Sequence, residues 1–341
     1  MVTIQDVARL AGVSTATVSR ALNGDKRVKA ATAKKVFEAV EKLDYSPNNL
    51  ARALRRNETG TITVLTGGNI LLSPDFIAGM HAAARENECC LMTAIVDNAN
   101  TAKEYVRRAE SRLTDGMIII TNIFSQKELY SMCTKFPLVL GGNNALLGGV
   151  PTVSIDQENA TYDAVMHLIQ TGCRRICLVC TPAFEFNGEQ IYLADDFLRA
   201  AGYKRALEDA GIEFDPRMIL SGYDLILGSE VYSKAMAVLK SDLKPDAFIC
   251  NHDFVALQCT NAIYDCGYSV PVDISVMSFE LADMCRFFRP KISSIEYPWY
   301  DIGVNAVNEL AHLRGNDLNF SDAPILLPYK IVDRETTRTP E

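Results

Sequence analysis

Apolar residues Ile4, Val7, Ala8 and Ala11 recur at helical spacing, giving a first helix one stripe to bury. Thr3 stands at its N-cap with Asp6 three places on, in the order of a capping box, and Gly12 ends it. Ser14 is placed to cap a second helix. In that helix Val18, Ala21 and Leu22 turn inward, while Thr15, Ala16, Ser19 and Arg20 share the opposite face. The stripe Ala33, Val36, Val40 and Leu43 predicts a third helix from about Ala30 to Asp44, and Tyr45-Ser46-Pro47 closes the bundle. A face of small polar groups and one arginine fits a major groove, because small side chains let the helix axis approach the base edges. A helical hairpin with a solvated face fits Ile4 to Leu22 equally well.

Beyond Pro47, Asn48 to Asn57 are good helix formers with a cap at Asn48. The segment spans under three turns, shorter than the roughly 12 to 15 residues an isolated helix needs in water, which predicts a tether ordered only when something supports it. From Thr61 the pattern changes. Short β-rich runs (Thr61–Thr66, Leu91–Val96, Gly116–Ile120, Leu138–Gly141, Ile176–Cys180, Ala247–Cys250, Ile274–Phe279) alternate with helical stretches (Asp75–Asn87, Lys103–Arg112, Asn159–Thr171, Leu198–Ala210, Ser229–Leu239, Phe254–Cys266). This alternation predicts parallel sheets with helices on both faces, and the length allows two. Ligands in such folds sit beyond the carboxyl ends of the strands.

Charge separates the two parts. Residues 1–57 hold 11 Lys+Arg against 5 Asp+Glu, a net of +6, and the remainder holds 23 against 37, a net of -14. Averaged over the chain, the net charge of -8 would argue against nucleic acid; divided, it describes a basic head able to displace counterions from phosphates and an acidic body kept off the duplex. No run approaches the roughly 18 apolar residues of a membrane span, and the chain opens on a capped helix rather than a signal peptide, so a soluble cytoplasmic protein without a membrane partner is expected. The 10 cysteines read as reduced core thiols. On a strand, Cys177 and Cys180 point to opposite faces, which prevents both from ligating one metal.

The first 57 residues resemble the headpiece and hinge of the LacI/GalR family of bacterial transcription regulators. The likeness rests on Thr3-Ile4-Gln5-Asp6-Val7-Ala8, Gly12-Val13-Ser14, Thr17-Val18-Ser19-Arg20, Leu43-Asp44-Tyr45-Ser46-Pro47-Asn48 and Ala51-Arg52-Ala53-Leu54. It implies that Thr15, Ala16 and Arg20 read bases in the major groove and that Leu54 wedges between bases in the minor groove. Thr3, Ser14, Thr17, Ser19, Asn23, Asn48 and Ala51 would complete the DNA-contacting set. Lys29 and Ala33 depart from the family's usual Ser and Arg, which leaves a phosphate contact there to Lys34 or Lys35. Within the family, Ser14 to Leu22 and Arg56-Asn57-Glu58 are most similar to the cytidine regulator.

The rest of the chain is similar to the periplasmic-binding-protein-like core of that family, through Asp115-Gly116-Met117-Ile118-Ile119, Ser154-Ile155-Asp156, Gly202-Tyr203-Lys204-Arg205-Ala206-Leu207, Pro245-Asp246-Ala247, Val270-Pro271-Val272-Asp273-Ile274 and Tyr297-Pro298. The division expected is a headpiece over 1–46, a hinge helix over 47–58 and a core over 59–341. The core splits into an N-subdomain (about 59–157 and 290–318) and a C-subdomain (about 158–289 and 319–341), with crossings near Gln157, Arg289 and Asn319.

The resemblance also implies a small-molecule site at Arg199, Asp253 and Glu280, where a guanidinium fork and two carboxylates suit a hydroxyl-rich sugar or nucleoside. Each is alternatively a solvated or capping charge, Asp253 above all. Glu280 replaces the family's usual Asp, and His252 stands where an Asn is common. In the first subdomain Asn69, Ser73, Phe76 and Asn122, with Asp97, are placed to line the cleft, and Phe184, Phe186, Tyr192 and Trp299 are candidate stacking rings.

No phosphate loop, nucleophile elbow or His-Glu-x-x-His occurs, and His81, His167, His252 and His312 are scattered, so neither an enzyme nor a cofactor is expected. The expectation is a homodimeric repressor on a palindromic operator, answering to an effector in the cleft. The alternative is a DNA-bound regulator that acts through a protein partner and keeps a vestigial cleft.

Overall fold

The computed structural model describes residues 2–22, 25, 27–45, 58–67, 73–96, 98–121, 123–142, 148–186, 189–222, 230–279, 284–315 and 318–339. They divide into two compact units, Met1–Thr59 and Gly60–Glu341. The smaller holds α1 (Ile4–Ala11), α2 (Thr15–Leu22) and α3 (Ala30–Leu43). Thr3 donates its backbone N–H (3.0 Å) and its hydroxyl (2.7 Å) to the Asp6 carboxylate, and Gly12 takes the left-handed conformation that ends α1. Val7, Ala8, Val18, Ala21, Val36 and Ala39 form the core of this unit. Ala39, which falls on the stripe beside Val36 and Val40, belongs there in addition to the residues expected. The hinge over 47–57, with Asn48, Ala51 and Leu54, lies outside the described residues.

The larger unit contains two six-stranded sheets. The first joins β1 (Thr61–Gly67), β2 (Cys90–Val96), β3 (Gly116–Ile119), β4 (Leu138–Gly141), β5 (Thr152–Ile155) and β13 (Ile325–Leu327) in the order β13-β5-β4-β3-β1-β2, with every pair parallel. The second joins β6 (Ile176–Val179), β9 (Ile219–Leu220), β10 (Ala247–Cys250), β11 (Ser275–Phe279), β12 (Ser293–Glu296) and β14 (Lys330–Val332) in the order β14-β12-β11-β10-β6-β9, with β14 antiparallel at its edge. Helices α4 (Pro74–Glu86), α5 (Ala99–Glu110), α6 (Gln126–Cys133), α7 (Gln157–Gln170), α8 (Ala194–Asp209), α9 (Val231–Lys240), α10 (Asp253–Asp265) and α11 (Trp299–Gly315) connect the strands. A hairpin, β7 (Ala183–Phe186) with β8 (Glu189–Tyr192), precedes α8.

Two of the three expected crossings move. The first falls between β5 and α7, at Gln157. Because β12 pairs with β11, the chain returns to the first lobe at Tyr297-Pro298 rather than near Arg289. Because β13 pairs with β5, it leaves again at Pro328-Tyr329 rather than near Asn319. Residues 290–296 therefore belong with the second sheet and 319–327 with the first.

Two helix pairs set the geometry of the lobes. A Cβ on Gly79 of α4 would lie 2.0 Å from the Tyr300 carbonyl oxygen of α11, and one on Gly303 2.4 Å from the Phe76 carbonyl oxygen. A Cβ on Gly202 of α8 would likewise meet the Glu158 carbonyl oxygen at 2.0 Å. In each pair the missing side chain lets two backbones touch. Cys177 packs in one hydrophobic core and Cys180 in another, across the sheet. All ten cysteines are free thiols; Cys90, expected in apolar surroundings, is exposed on edge strand β2 instead.

Candidate DNA interface and ligand cleft

On α2 the side chains of Thr15, Ala16 and Arg20 are exposed and those of Thr17 and Ser19 half-buried, over a buried Val18 and Ala21. The Ser14 hydroxyl accepts from the Thr17 backbone N–H (3.2 Å) and sits 2.9 Å from the Thr17 hydroxyl. That local bond starts the helix at Thr15 and fixes which residues face out. Ser14 and Thr3 are themselves exposed, and Asn23 lies outside the described residues. The exposed row of small side chains ending in one arginine leaves the helix axis free to approach base edges.

In the larger unit the carboxyl ends of both sheets meet around Arg199, in the second turn of α8. Its Nε donates to Gln157 Oε1 (3.0 Å), its Nη1 to Asp196 Oδ1 (2.7 Å) and its Nη2 to the Tyr297 hydroxyl (2.9 Å). The guanidinium also lies 4.0 Å from the centre of the Phe279 ring. Gln157 and Tyr297 bond each other, with Gln157 Nε2 2.6 Å from the Tyr297 hydroxyl. One arginine thus ties the first crossing to the second and both to α8. The Gly202 contact makes this possible by holding α8 close to the start of α7. Asp196 is fixed in turn by accepting from the Thr181 backbone N–H at 2.8 Å, just beyond β6.

Burial works against the Arg199 charge, but the Tyr297 hydroxyl and the Asp196 and Asp195 carboxylates outweigh it and hold the pKa above its ordinary value. Burial pushes the Tyr297 phenol up, against the pull of Arg199, so it stays protonated. The His252 imidazole is pushed down by burial, with the Asp196 charge opposing, and is neutral at pH 7.

The aromatic residues continue across the crossing into the first lobe. Tyr297 stacks on Trp299 with ring centroids 4.6 Å apart and 5° between planes, and Trp299 meets Phe76 edge-on at 5.8 Å. A Cβ on Gly142, just past β4, would lie 2.7 Å from Trp299 Cζ3, so the indole rests against bare backbone there.

Asp253 is the first residue of α10 and only 2 % exposed. The N-cap is His252, whose side chain makes no capping bond, so Asp253 stands at the helix dipole rather than in the capping position. Ser73 precedes α4 and is buried, as is Phe76 in its first turn. Asn69, Asp97, Asn122 and Glu280 lie outside the described residues, as do the side chains of Phe184, Phe186 and Tyr192, which the hairpin register sets opposite Ile191, Glu189 and Ala183.

Sequence reasoning did not single out Gln157, Asp196, Tyr297, Phe279 or Asn251 as site residues. Asp196 carried a signal, since it stands three residues before Arg199 on one helix face. Tyr297 and Gln157 become site residues only through where the chain crosses between lobes.

A helix-turn-helix bundle with a basic, small-residue face, followed by a two-lobed parallel α/β core with a polar interlobe site, defines a DNA-binding regulator. The family model for bacterial regulatory proteins of the lacI family matches residues 3–48, and that for a periplasmic binding protein-like domain matches residues 165–337. Catabolite control protein A of Priestia megaterium is 30% identical over 342 residues, 99% of each chain. The HTH-type transcriptional repressor PurR of Aliivibrio fischeri (strain MJ11) is 31% identical over 319 residues, 91% of each. Among solved structures, the lac repressor dimer bound to operator and the anti-inducer ONPF superposes with a TM-score of 0.83 at 25% identity, covering 99% of both chains. The chain belongs to the LacI family of bacterial regulatory proteins. It is a sequence-specific DNA-binding transcriptional regulator.

Proposed function

We propose that the chain is a repressor that binds a near-palindromic operator as a homodimer, because a two-fold dimer and its site must share symmetry. Thr15, Ala16 and Arg20 read base edges, with Arg20 on a guanine, and Thr3, Ser14, Thr17, Ser19, Asn23, Asn48 and Ala51 position the head. Leu54 opens a minor-groove step, and the hinge over 47–58 folds when two copies meet on DNA. The observation that carries this reading is the exposed Thr15–Ala16–Arg20 face over its buried core. The likeness of Ser14 to Leu22 to the cytidine regulator supports an operator of that kind and keeps nucleosides among the effectors.

The interlobe cleft is the effector site, served by Arg199, Asp253 and Glu280 from one lobe and by Asn69, Ser73, Phe76 and Asn122 from the other. An effector that prefers one lobe arrangement by a few kcal/mol shifts the operator-bound population accordingly. The protein acts on DNA in the cytoplasm and catalyses no reaction; no helix among its described residues is long and apolar enough to cross a membrane. Selection of sites from a random duplex pool by the full chain tests the DNA reading. Enrichment of a two-fold symmetric sequence is expected; recovery of asymmetric sites or no enrichment would refute it.

A further inference from the structure

The acceptors and charges of the cleft are unbalanced. Asn251 Oδ1 and His252 Nδ1 are buried polar atoms without a hydrogen-bond partner among the described residues, and Asn251 is only 8 % exposed. Its backbone carbonyl lies 3.5 Å from Arg199 Nη1, which places the pair at the junction of the lobes. A buried acceptor left unmet keeps the cost of its lost hydration, and a donor arriving from outside would remove that cost.

The helix N-termini at this junction, where other folds hold phosphate, are already filled by the chain's own carboxylates. Asp195 and Asp196 occupy the first turn of α8 and Asp253 that of α10, while Asp156 caps α7 and Asp75 follows Pro74 on α4. Arg199, the one buried cation among the described residues, has all three nitrogens engaged. Lys234, beside Gly222, donates to the Ser221 carbonyl at 3.0 Å and faces Glu230 at 3.8 Å. The segments of this unit outside the described residues hold Asp97, Asp224, Glu280, Asp283, Asp317 and Glu341 but no lysine or arginine.

We infer that the cleft takes a neutral or cationic effector rich in hydrogen-bond donors, an amino sugar or amino nucleoside, and refuses phosphate esters of the same compounds. This rests on the reading of the cleft as the effector site. An incoming N–H or O–H satisfies Asn251 Oδ1, and the neutral His252 ring supplies a second polar contact without adding positive charge. A phosphate would meet carboxylates at these helix ends, and Arg199, the buried cation among the described residues, already has a partner on each nitrogen.

Calorimetric titration of the full chain with cytidine, adenosine and glucosamine, each beside its monophosphate, and with uridine, inosine and glucose, decides the matter; operator affinity is followed in parallel. At least one amino compound is expected to bind and to shift operator affinity, with its phosphate ester at least tenfold weaker. Asn251→Leu should weaken that binding tenfold or more, whereas Asn251→Asp, which keeps an acceptor, should retain it. A phosphate ester that binds more tightly than its parent, or an oxo or hydroxyl counterpart that binds more tightly than the amino compound, overturns the inference while leaving the cleft an effector site. Failure of every compound to bind or to move operator affinity overturns both. The ligand series is measured on the wild-type chain, so it stands whether or not the Asn251 variants fold.

Discussion

Arg199 illustrates how one side chain takes on two duties. Proposed as an effector contact, it already bonds Gln157, Asp196 and Tyr297 through its three nitrogens, and so fixes how the lobes are joined. A ligand that displaced Gln157, Asp196 or Tyr297 from Arg199 would loosen the tie between the two crossings and α8. His252 beside it gives a pH signature. Burial lowers its folded pKa below the ordinary 6.5, so the folded state binds fewer protons than the unfolded one in that range and stability increases with pH. The contribution is complete above 6.5 and is lost as pH falls through the lowered folded value. Denaturant unfolding at a series of pH values should show wild type losing stability below 6.5 and His252→Asn losing less; identical profiles would show that the imidazole stays unperturbed.

Among the elements, the glycine contacts fix geometry most tightly. Gly202→Ala would drive a methyl into the Glu158 carbonyl, 2.0 Å away, and the rigid backbone must move. Overpacking of this kind costs about 1–3 kcal/mol or more. The variant should unfold at lower denaturant and, because α8 and α7 separate, lose effector response more than operator affinity. Unchanged unfolding would mean the helices part at no cost.

The sequence makes some of these elements plain and hides others for physical reasons. The first two head helices are legible because cap and apolar stripe agree, and the third, whose N-cap Lys29 makes no side-chain bond, from its stripe alone. Helix α5 begins at Ala99, earlier than the Lys103 that its apolar pattern suggests, because Asn98 caps it by accepting from the Thr101 N–H at 2.9 Å. Strands β12, β13 and β14 run to three or four residues, too few for a period of two to register. Their sheet membership depends on where a chain from the other lobe returns. For the same reason the crossings lie at Tyr297-Pro298 and Pro328-Tyr329 rather than near Arg289 and Asn319, and Tyr297 joins the site through the fold alone.

At the scale of the whole molecule, charge and architecture agree. A head of net +6 precedes a body of net -14, which concentrates the charge able to displace counterions from a duplex in the first 57 residues. The family assignment holds along the length of the chain, since relatives match 91–99% of it. Fluorescence anisotropy of the full chain on a labelled palindromic operator, against a scrambled duplex of equal length at fixed ionic strength, tests the central claim most directly when wild type is compared with Arg20→Ala/Leu54→Ala. Loss of a bidentate base contact is worth about 1–3 kcal/mol, so the double variant should bind the palindrome at least tenfold more weakly while scrambled duplex changes little. Equal binding of the palindrome by both proteins would contradict the account.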